Sequence, residues 1–301
     1  MSLKKDLRKE KEEYLQSAVR DILEYVEENF SKADLHIHTD YSDSSASVEE
    51  VLEYVETKTD LSVIAICDHD TIEGAKKAVS LAKENNYRFE VIVGEEISTN
   101  EGHLIGLFLK KVVPKNISVH QAIKEIKNQG GIVIAPHPFY QSRLNDQHEI
   151  VANGIGAACL IHEKEAIDAI EVINGTPTFR KTNLKAKYFN RLVMHKAEVA
   201  CSDAHCKDAI AKGYTIFEGI TAEDLKSSIL NKRTQAVKGR WNSLELIKYA
   251  YSFMPNFLRM AFFTLLLGKQ PKKREIINFP PAFKITRELE KEEKSATILE
   301  K

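Results

Sequence analysis

The chain has 301 residues, of which 43% are hydrophobic and 29% charged, enough for one large globular domain or two small ones. Its 43 lysine and arginine residues nearly balance 44 aspartate and glutamate residues, which argues against a dedicated nucleic-acid-binding protein, since such proteins carry a strong basic excess. The four cysteines lack the regular spacing of a secreted disulfide scaffold. We therefore expect a cytoplasmic globular protein.

Residues 1–32 predict an N-terminal amphipathic helix. Apolar side chains recur at helical spacing from Leu15 to Phe30, behind a strongly charged opening section. That opening is too charged for the apolar core of a signal peptide. We expect this helix to pack on the outside of the domain that follows.

Residues 33–240 alternate short β-rich runs with helical stretches, which is typical of βαβ units and a mainly parallel sheet. Two of the helices begin with capping boxes, Ser47 with Glu50 and Ser118 with Gln121. About seven such units favour an α/β barrel, closed or nearly closed, over an open sheet. The predicted strands are 33–38, 61–69, 89–98, 131–137, 167–174, 198–205 and 214–217.

Residues 241–301 predict a helical C-terminal extension that ends in a polar tail. Charged residues and Pro255 interrupt its apolar stretch, so no run is long enough to span a bilayer. Aromatic residues with flanking Lys and Arg over 241–274 would also suit a membrane surface. We favour a helical cap on the barrel or a dimer contact, which leaves a homo-oligomer open.

Histidine and acidic residues fall at the ends of the predicted strands. Asp34, His36 and His38 share one face of the first strand, where the two imidazoles can bind one metal ion. Asp34 is then placed to accept a hydrogen bond from a ring N–H and fix the tautomer. Because such strand ends meet at one mouth of a parallel barrel, the sequence predicts a metal cluster there. The motifs are Asp34-Leu-His36-Ile-His38 with Asp43 after it, Cys67-Asp68-His69-Asp70-Thr71, Gly94-Glu95-Glu96-Ile97-Ser98, His103-Leu-Ile-Gly106, Pro136-His137-Pro138 and Ser202-Asp203-Ala-His205.

In this order the motifs resemble those of the polymerase-and-histidinol-phosphatase (PHP) family of metal-dependent phosphoesterases. The resemblance covers about residues 33–239 and implies a distorted (β/α)7 barrel with two to three divalent ions, Mn, Zn, Fe or Mg. It also implies that Glu95 bridges two of the ions. The implied ligands are His36, His38, Glu95 and Asp203 for the first ion, Glu95, His103 and His137 for the second, and Asp43, His69 and His205 for the third.

Clustered divalent ions lower the pKa of a bound water and neutralise phosphoryl oxygens. We therefore predict a phosphoesterase that hydrolyses a phosphate ester of a small metabolite or nucleotide, such as a nucleoside mono- or bisphosphate, by a metal-bound hydroxide. Asp68, Asp70 and His205 are candidates for supporting the ligands or transferring protons. The candidate contacts to the substrate phosphate are Arg143, Asn174, Arg180 and Asn183.

Three other functions stay open. A 5′-3′ exonuclease acting on short oligonucleotides needs a basic channel, which Lys181, Lys185, Lys187 and Arg191 can supply, although the near-neutral charge predicts no stable nucleic-acid complex. A non-catalytic metal-stabilised binding module is expected to lose ligands, and none is missing here. An amidohydrolase is expected to use a bridging modified lysine, where this sequence has Glu95.

Overall fold

The computed structural model describes residues 16–17, 19–20, 25, 29–144, 150–246 and 249, with backbone alone at 142–144 and 150–152. These residues form eleven strands and six α-helices. The strands are β1 (Phe30–Ile37), β2 (Val63–Ile66), β3 (Glu90–Ser98), β4 (His103–Leu107), β5 (Ile132–Ala135), β6 (Gln141–Leu144), β7 (Ile150–Ala152), β8 (Ala169–Asn174), β9 (Ala197–Cys201), β10 (Gly213–Glu218) and β11 (Gln235–Lys238). The helices are α1 (Val48–Lys58), α2 (Glu73–Glu84), α3 (Val119–Asn128), α4 (Gly156–His162), α5 (Arg180–Phe189) and α6 (Ala222–Leu230).

Local sequence signals fix where the helices begin. The Ser47 hydroxyl accepts a hydrogen bond from the Glu50 amide at 3.2 Å, and the Glu50 carboxylate accepts one from the Ser47 amide at 3.1 Å. The same reciprocal pair forms at the start of α3, so both predicted capping boxes are confirmed. Helix α1 then buries four residues at helical spacing against the sheet: Val48, Val51, Leu52 and Val55.

Nine strands form one curved sheet in the order β11-β10-β1-β2-β3-β4-β5-β8-β9. The two ends of the sheet meet, because the Thr215 hydroxyl on β10 hydrogen-bonds both the amide and the carbonyl of Ala200 on β9, at 3.0 and 2.9 Å. The Thr234 hydroxyl adds a bond of 2.8 Å to the Glu198 carbonyl. The sheet is therefore a nearly closed barrel, as expected, and it contains all seven predicted strands. A separate hairpin joins β6 and β7.

The expectation of a mainly parallel sheet is wrong. Four pairings are parallel (β1–β2, β2–β3, β5–β8 and β8–β9), and four are antiparallel (β3–β4, β4–β5, β1–β10 and β10–β11). The tight turn from Thr99 to Gly102, closed by a 3.0 Å bond between their amide and carbonyl, leaves no room for a crossover helix. A strand that follows such a turn can pair only antiparallel. Strand β4 was not among the predicted strands.

The barrel interior is packed with apolar side chains and sealed at one end by α6. Leu225 and Ile229 of α6 are fully buried in the same cluster as Leu35, Ile92 and Phe217 from the strands. The Ala222 amide donates to the Glu90 carboxylate at the start of β3, so the helix lies across the amino-terminal ends of the strands. The opposite end, where the parallel strands terminate, carries the polar motifs.

Most of the two predicted terminal segments lies outside the described residues. Gln16, Ser17, Val19, Arg20, Tyr25 and Asn29 are helical, but β1 begins at Phe30 and takes the last residues of the expected helix 1–32. In the extension 241–301, the structure describes 241–246 and Tyr249, with helix at 243–246 and 249; most of the 241–274 stretch lies outside. Among the described residues, no helix is both long and apolar enough to cross a membrane.

We expect Leu225→Ala to lower the free energy of unfolding by about 3 kcal/mol, because it removes a fully buried side chain from the sealed end of the barrel. Leu230→Ala in the same helix is the matched control, since Leu230 is 53% exposed. Urea unfolding followed by circular dichroism measures both. Equal stability of the two variants would contradict this account of the packing.

Candidate metal centre

The carboxylate of Glu96 lies at the centre of the polar end of the barrel, surrounded by five imidazoles. Its side chain is 1% exposed. The five ring nitrogens come from four strand ends, since His36 and His38 share that of β1, and each lies within salt-bridge distance of one of the two Glu96 oxygens. The distances are 3.0 Å to His36 Nε2, 3.2 Å to His38 Nε2, 3.5 Å to His69 Nδ1, 2.7 Å to His103 Nδ1 and 3.1 Å to His137 Nε2.

Strand order explains why residues so far apart in sequence meet here. His38 follows β1, His69 follows β2, and a backbone bridge pairs His69 with Glu96 on β3. His103 opens β4, and because β4 is antiparallel its first residue lies at the same edge as the end of β3. His137 follows β5. The predicted meeting of strand ends at one mouth is therefore what the structure contains.

Glu95, the predicted bridge, does not face this cluster. Its Oε2 accepts a hydrogen bond from the Val113 amide at 2.8 Å, and within the described part of the chain its Oε1 has no partner. Burial raises the pKa of Glu95 to about 7; the Val113 amide opposes the shift and the charge of Asp70 adds to it. Successive side chains on a strand point to opposite faces, so the expectation for Glu95 is wrong by one residue. Glu96 takes its place.

Asp203 is the second carboxylate of the cluster. Its Oδ1 lies 3.5 Å from His36 Nε2 and 3.4 Å from His38 Nε2. The backbone of Asp203 has φ +54°, and that of His137 has φ +25°. Non-glycine residues held in this region carry backbone strain, and such residues cluster at functional sites.

A third carboxylate, Asp43, lies at the outer side of the cluster. Its oxygens are 3.2 Å from His205 Nε2, 3.7 Å from His69 Nε2 and 3.8 Å from His38 Nδ1. His205 Nδ1 donates to the Asp203 carbonyl at 3.0 Å, which directs the other ring nitrogen, Nε2, toward Asp43. Burial raises the pKa of Asp43, but the imidazoles around it, His205 first, hold it well below its usual range.

The structure thus brings together eight of the nine predicted ligands, with Glu96 as the ninth. Within each of four groups, one ligand atom per residue lies within 4.8 Å of the others. The groups are His38, Asp43, His69 and His205; His36, Glu96 and His137; His36, His38 and Asp203; and His69, Glu96 and His103. Shared members join them into one continuous cluster of candidate ligands.

The chemistry of this donor set fits divalent ions. Burial lowers the pKa of the His36 imidazole, but Asp203 and Glu96 more than offset this and raise it well above its ordinary value. Carboxylates that attract protons onto neighbouring rings attract a dication in the same way. Among the described residues, the buried Nδ1 atoms of His38, His69 and His137 lack a hydrogen-bond partner. Imidazole nitrogens with carboxylate oxygens are ligands that suit Zn, Mn and Fe.

Glu171, on β8, supports the cluster from behind and was not predicted. Its Oε1 lies 3.3 Å from His36 Nδ1, and its Oε2 accepts from the backbone amide of His137 at 2.6 Å. Asn174 donates to the same oxygen at 3.2 Å. Glu171 is therefore the residue that fixes the His36 tautomer. The available signal was a charged residue in the middle of an otherwise apolar strand.

Asp34 does not hold an imidazole, contrary to expectation. Its two oxygens accept from the backbone amides of Ser202 at 2.9 Å and Ala211 at 3.0 Å. Burial raises the pKa of Asp34 to about 6, and these hydrogen bonds oppose the shift. Asp34 therefore anchors the segment that carries Asp203 and His205.

Asp68 and Asp70 were candidates for supporting the ligands or for proton transfer. In the structure, each carboxylate accepts a hydrogen bond from a backbone amide of a neighbouring segment. Asp68 accepts from the amide and hydroxyl of Thr39, each at 2.7 Å, and from the Ser42 hydroxyl at 2.8 Å, which orders the loop leading to Asp43. Asp70 accepts from the Ser98 amide at 2.8 Å, at the last residue of the Glu96 motif and of β3. Of the three candidates, His205 alone is in the ligand groups.

The four predicted phosphate contacts separate in the structure. Asn174 lies against the cluster and donates to Asp203 Oδ2 at 3.0 Å. Asn183 bonds the backbone of Asn174 at both its amide and carbonyl, so it braces Asn174. Arg180 is exposed at the first residue of α5. The side chain of Arg143, on β6, lies outside the described part of the structure.

A nearly closed α/β barrel with a buried histidine and carboxylate cluster at its carboxyl-terminal mouth defines a metal-binding barrel protein. The PHP domain family model matches residues 34–236. Since this is more than half of the chain, the chain belongs to the PHP family, whose members include metal-dependent phosphoesterases.

Several proteins of known sequence or known structure are similar to parts of this chain. An uncharacterised protein of Methanocaldococcus jannaschii is 44% identical over 119 residues, 36% of this chain and 68% of that protein. A 5′-3′ exoribonuclease of Haemophilus influenzae is 38% identical over 107 residues, 34% of this chain and 38% of that enzyme. A two-domain Bacteroides vulgatus protein, described as containing a PHP-like metal-dependent phosphoesterase, has a TM-score of 0.55 at 19% identity. That match covers 70% of this chain and 65% of the other, and it shows the shared fold.

We expect Glu96→Gln to lose metal binding at the two ligand groups that Glu96 joins, because the central anion is gone. Glu95→Gln, one residue away on the opposite face, is the matched control and should retain the metal content of the wild type. Inductively coupled plasma mass spectrometry after loading with Mn²⁺ or Zn²⁺ measures both. The reverse result would restore Glu95 as the bridge.

Proposed function

We propose that this protein is a metal-dependent phosphoesterase that hydrolyses a nucleoside mono- or bisphosphate. The Glu96-centred cluster carries this proposal, since it offers nine ligand residues within the family that contains such enzymes. Divalent ions bound there would neutralise phosphoryl oxygens and lower the pKa of a water. The protein's own part is to hold the ions, orient the phosphate and exclude bulk water.

The ligand set suits an anionic substrate. Six of the nine side chains are imidazoles, which bind ions through neutral nitrogens, and only Asp43, Glu96 and Asp203 bring negative charge. The ligands therefore cancel only part of the charge of two or three dications. Net positive charge at the mouth of the barrel favours a phosphate group.

A pair of aromatic rings beside the cluster supports a nucleotide as the substrate. The rings of Tyr140 and Phe179 lie 3.9 Å apart between centroids, and Tyr140 lies 6.1 Å from the ring of His137. Phe179 is buried beneath, whereas Tyr140 is half-buried. A nucleobase can stack on such a ring, which contributes about 1–3 kcal/mol per base in nucleic-acid-binding proteins.

Phosphate release in the presence of Mn²⁺ tests the reaction class. The panel contains nucleoside monophosphates, 3′,5′-bisphosphates, ribose 5-phosphate and short 5′-phosphorylated oligonucleotides. Asp203→Asn should lose most turnover and keep its circular dichroism spectrum, since Asp203 joins the ligand group with His36 and His38. A metal-loaded wild-type protein that releases no phosphate from any of these would argue for a binding module instead.

Tyr140→Leu should lower kcat/KM for adenosine monophosphate about tenfold, the loss expected from about 1.4 kcal/mol of stacking. It should leave kcat/KM for ribose 5-phosphate unchanged, because that substrate carries the same phosphate without a base. Tyr140→Phe keeps the ring and is the conservative control. An equal loss on both substrates would reject the stacking role.

A second candidate, 5′-3′ exonuclease activity, is favoured by the name of the Haemophilus influenzae relative. The basic run from Lys181 to Arg191 gives it less support than the sequence implied, because Arg191, which follows α5, pairs with Glu198 at 3.0 Å. Lys181 and Lys185 remain exposed on that helix. Stepwise release of mononucleotides from the oligonucleotides in the panel, faster than hydrolysis of free nucleotides, would favour the exonuclease.

A further inference from the structure

Residues beyond the family-matched region dock against the loop that follows β8. The PHP match ends at residue 236. Past it, Trp241 Nε1 donates to the Gly175 carbonyl at 3.0 Å, and the Tyr249 hydroxyl is hydrogen-bonded to the Thr176 side chain. The Trp241 and Tyr249 rings contact each other edge to face, 4.9 Å apart between centroids. Two consecutive loop residues, 175 and 176, are therefore held by two aromatic side chains in contact with each other.

The same loop sets the orientation of the Asn174 side chain. The Thr176 amide donates to Asn174 Oδ1 at 3.0 Å, which commits the amide oxygen to the loop. The amide nitrogen then faces the cluster and donates to Asp203 Oδ2 at 3.0 Å and Glu171 Oε2 at 3.2 Å. A flipped amide would turn its oxygen toward two carboxylates, which is repulsive. The loop thus keeps Asp203 Oδ1 directed at His36 and His38.

Buried charge anchors the segment that carries Trp241. The Lys212 ammonium donates to the Glu245 carboxylate at 2.8 Å and to the Arg240 carbonyl at 3.1 Å, and it lies 5.4 Å from the centre of the Trp241 ring. Lys212 is 9% exposed, so these contacts form largely away from water. Asn242 and Glu245 bond each other's backbone amides and so begin the short helix at 243–246. Trp241 is thus held firmly at the barrel.

We propose that Trp241 and Tyr249 are positioning residues for the metal centre. Through Gly175 and Thr176 they hold Asn174, and through Asn174 they hold the Asp203 carboxylate in the geometry that the ions need. The inference rests on the proposed metal-dependent function, and it gives the extension a role beyond that of a cap or a dimer contact. These residues do not touch the reacting atoms, so their effect should be on ion affinity.

Isothermal titration calorimetry with Mn²⁺ on the full-length, metal-stripped protein tests the proposal. Tyr249→Phe and Trp241→Phe should each weaken Mn²⁺ binding about tenfold, the lower end of the effect of losing a residue that orients a ligand. Tyr87→Phe is the matched control, because its hydroxyl contacts only Glu53 at 3.4 Å among the described partners, and it should bind Mn²⁺ as the wild type does. Wild-type affinity in both test variants would overturn the inference.

A second measurement needs no change to the docking residues. Trp241 is the single tryptophan of the chain, so its fluorescence reports on the docked segment. Addition of the diamagnetic ion Zn²⁺ should shift its emission in the wild type, and Asn174→Ala should abolish that shift while the protein stays folded. A shift that persists in Asn174→Ala would reject the route through Asn174. A wild-type protein that binds neither ion would instead reject the proposed function.

Discussion

The buried carboxylate of Glu96 is the constraint on which the rest of the site depends. Removing such a charge from water costs several kcal/mol unless compensating groups surround it. Here the compensation comes from five imidazoles, each at 3.5 Å or less, delivered by β1, β2, β4 and β5 or the residues just after them. The barrel has to close far enough to bring these strand ends together. The ring nitrogens that face Glu96 are the same atoms that would act as ligands when ions are bound.

Much of this arrangement could be read from the sequence because it follows from strand periodicity. His36 and His38 were placed correctly, and so were the strand-end positions of His69, His137 and Asp203. The choice between Glu95 and Glu96 could not be made, because adjacent residues on a strand face opposite ways and only pairing fixes the register. The bridge between His69 and Glu96 supplies that register, and it is a tertiary contact. The antiparallel β4 was missed because it follows β3 after a tight turn, whereas the expected pattern alternated each strand with a helix.

Asp34 and Glu171 show a different limit. Each is an acidic residue within an apolar strand, and the sequence signal for both is the same: a buried charge that needs partners. The structure gives them different roles. Asp34 accepts hydrogen bonds from two backbone amides, whereas Glu171 is hydrogen-bonded to the His36 imidazole. A pattern can therefore identify a buried acid without identifying what it holds. Similarly, nothing in the sequence links Trp241 to Gly175, 66 residues earlier.

The seal formed by α6 limits how ions and ligands can reach the cluster. Leu225 and Ile229 fill one end of a barrel whose interior is already packed with apolar side chains, so the described core offers no channel to the cluster from that side. In the part of the chain that the structure describes, ions and a phosphate ester would then both approach through the opposite end of the barrel. If phosphate binds over the ions, it blocks their exit for as long as it stays. Inorganic phosphate would then act both as a competitor of the substrate and as a brake on metal exchange.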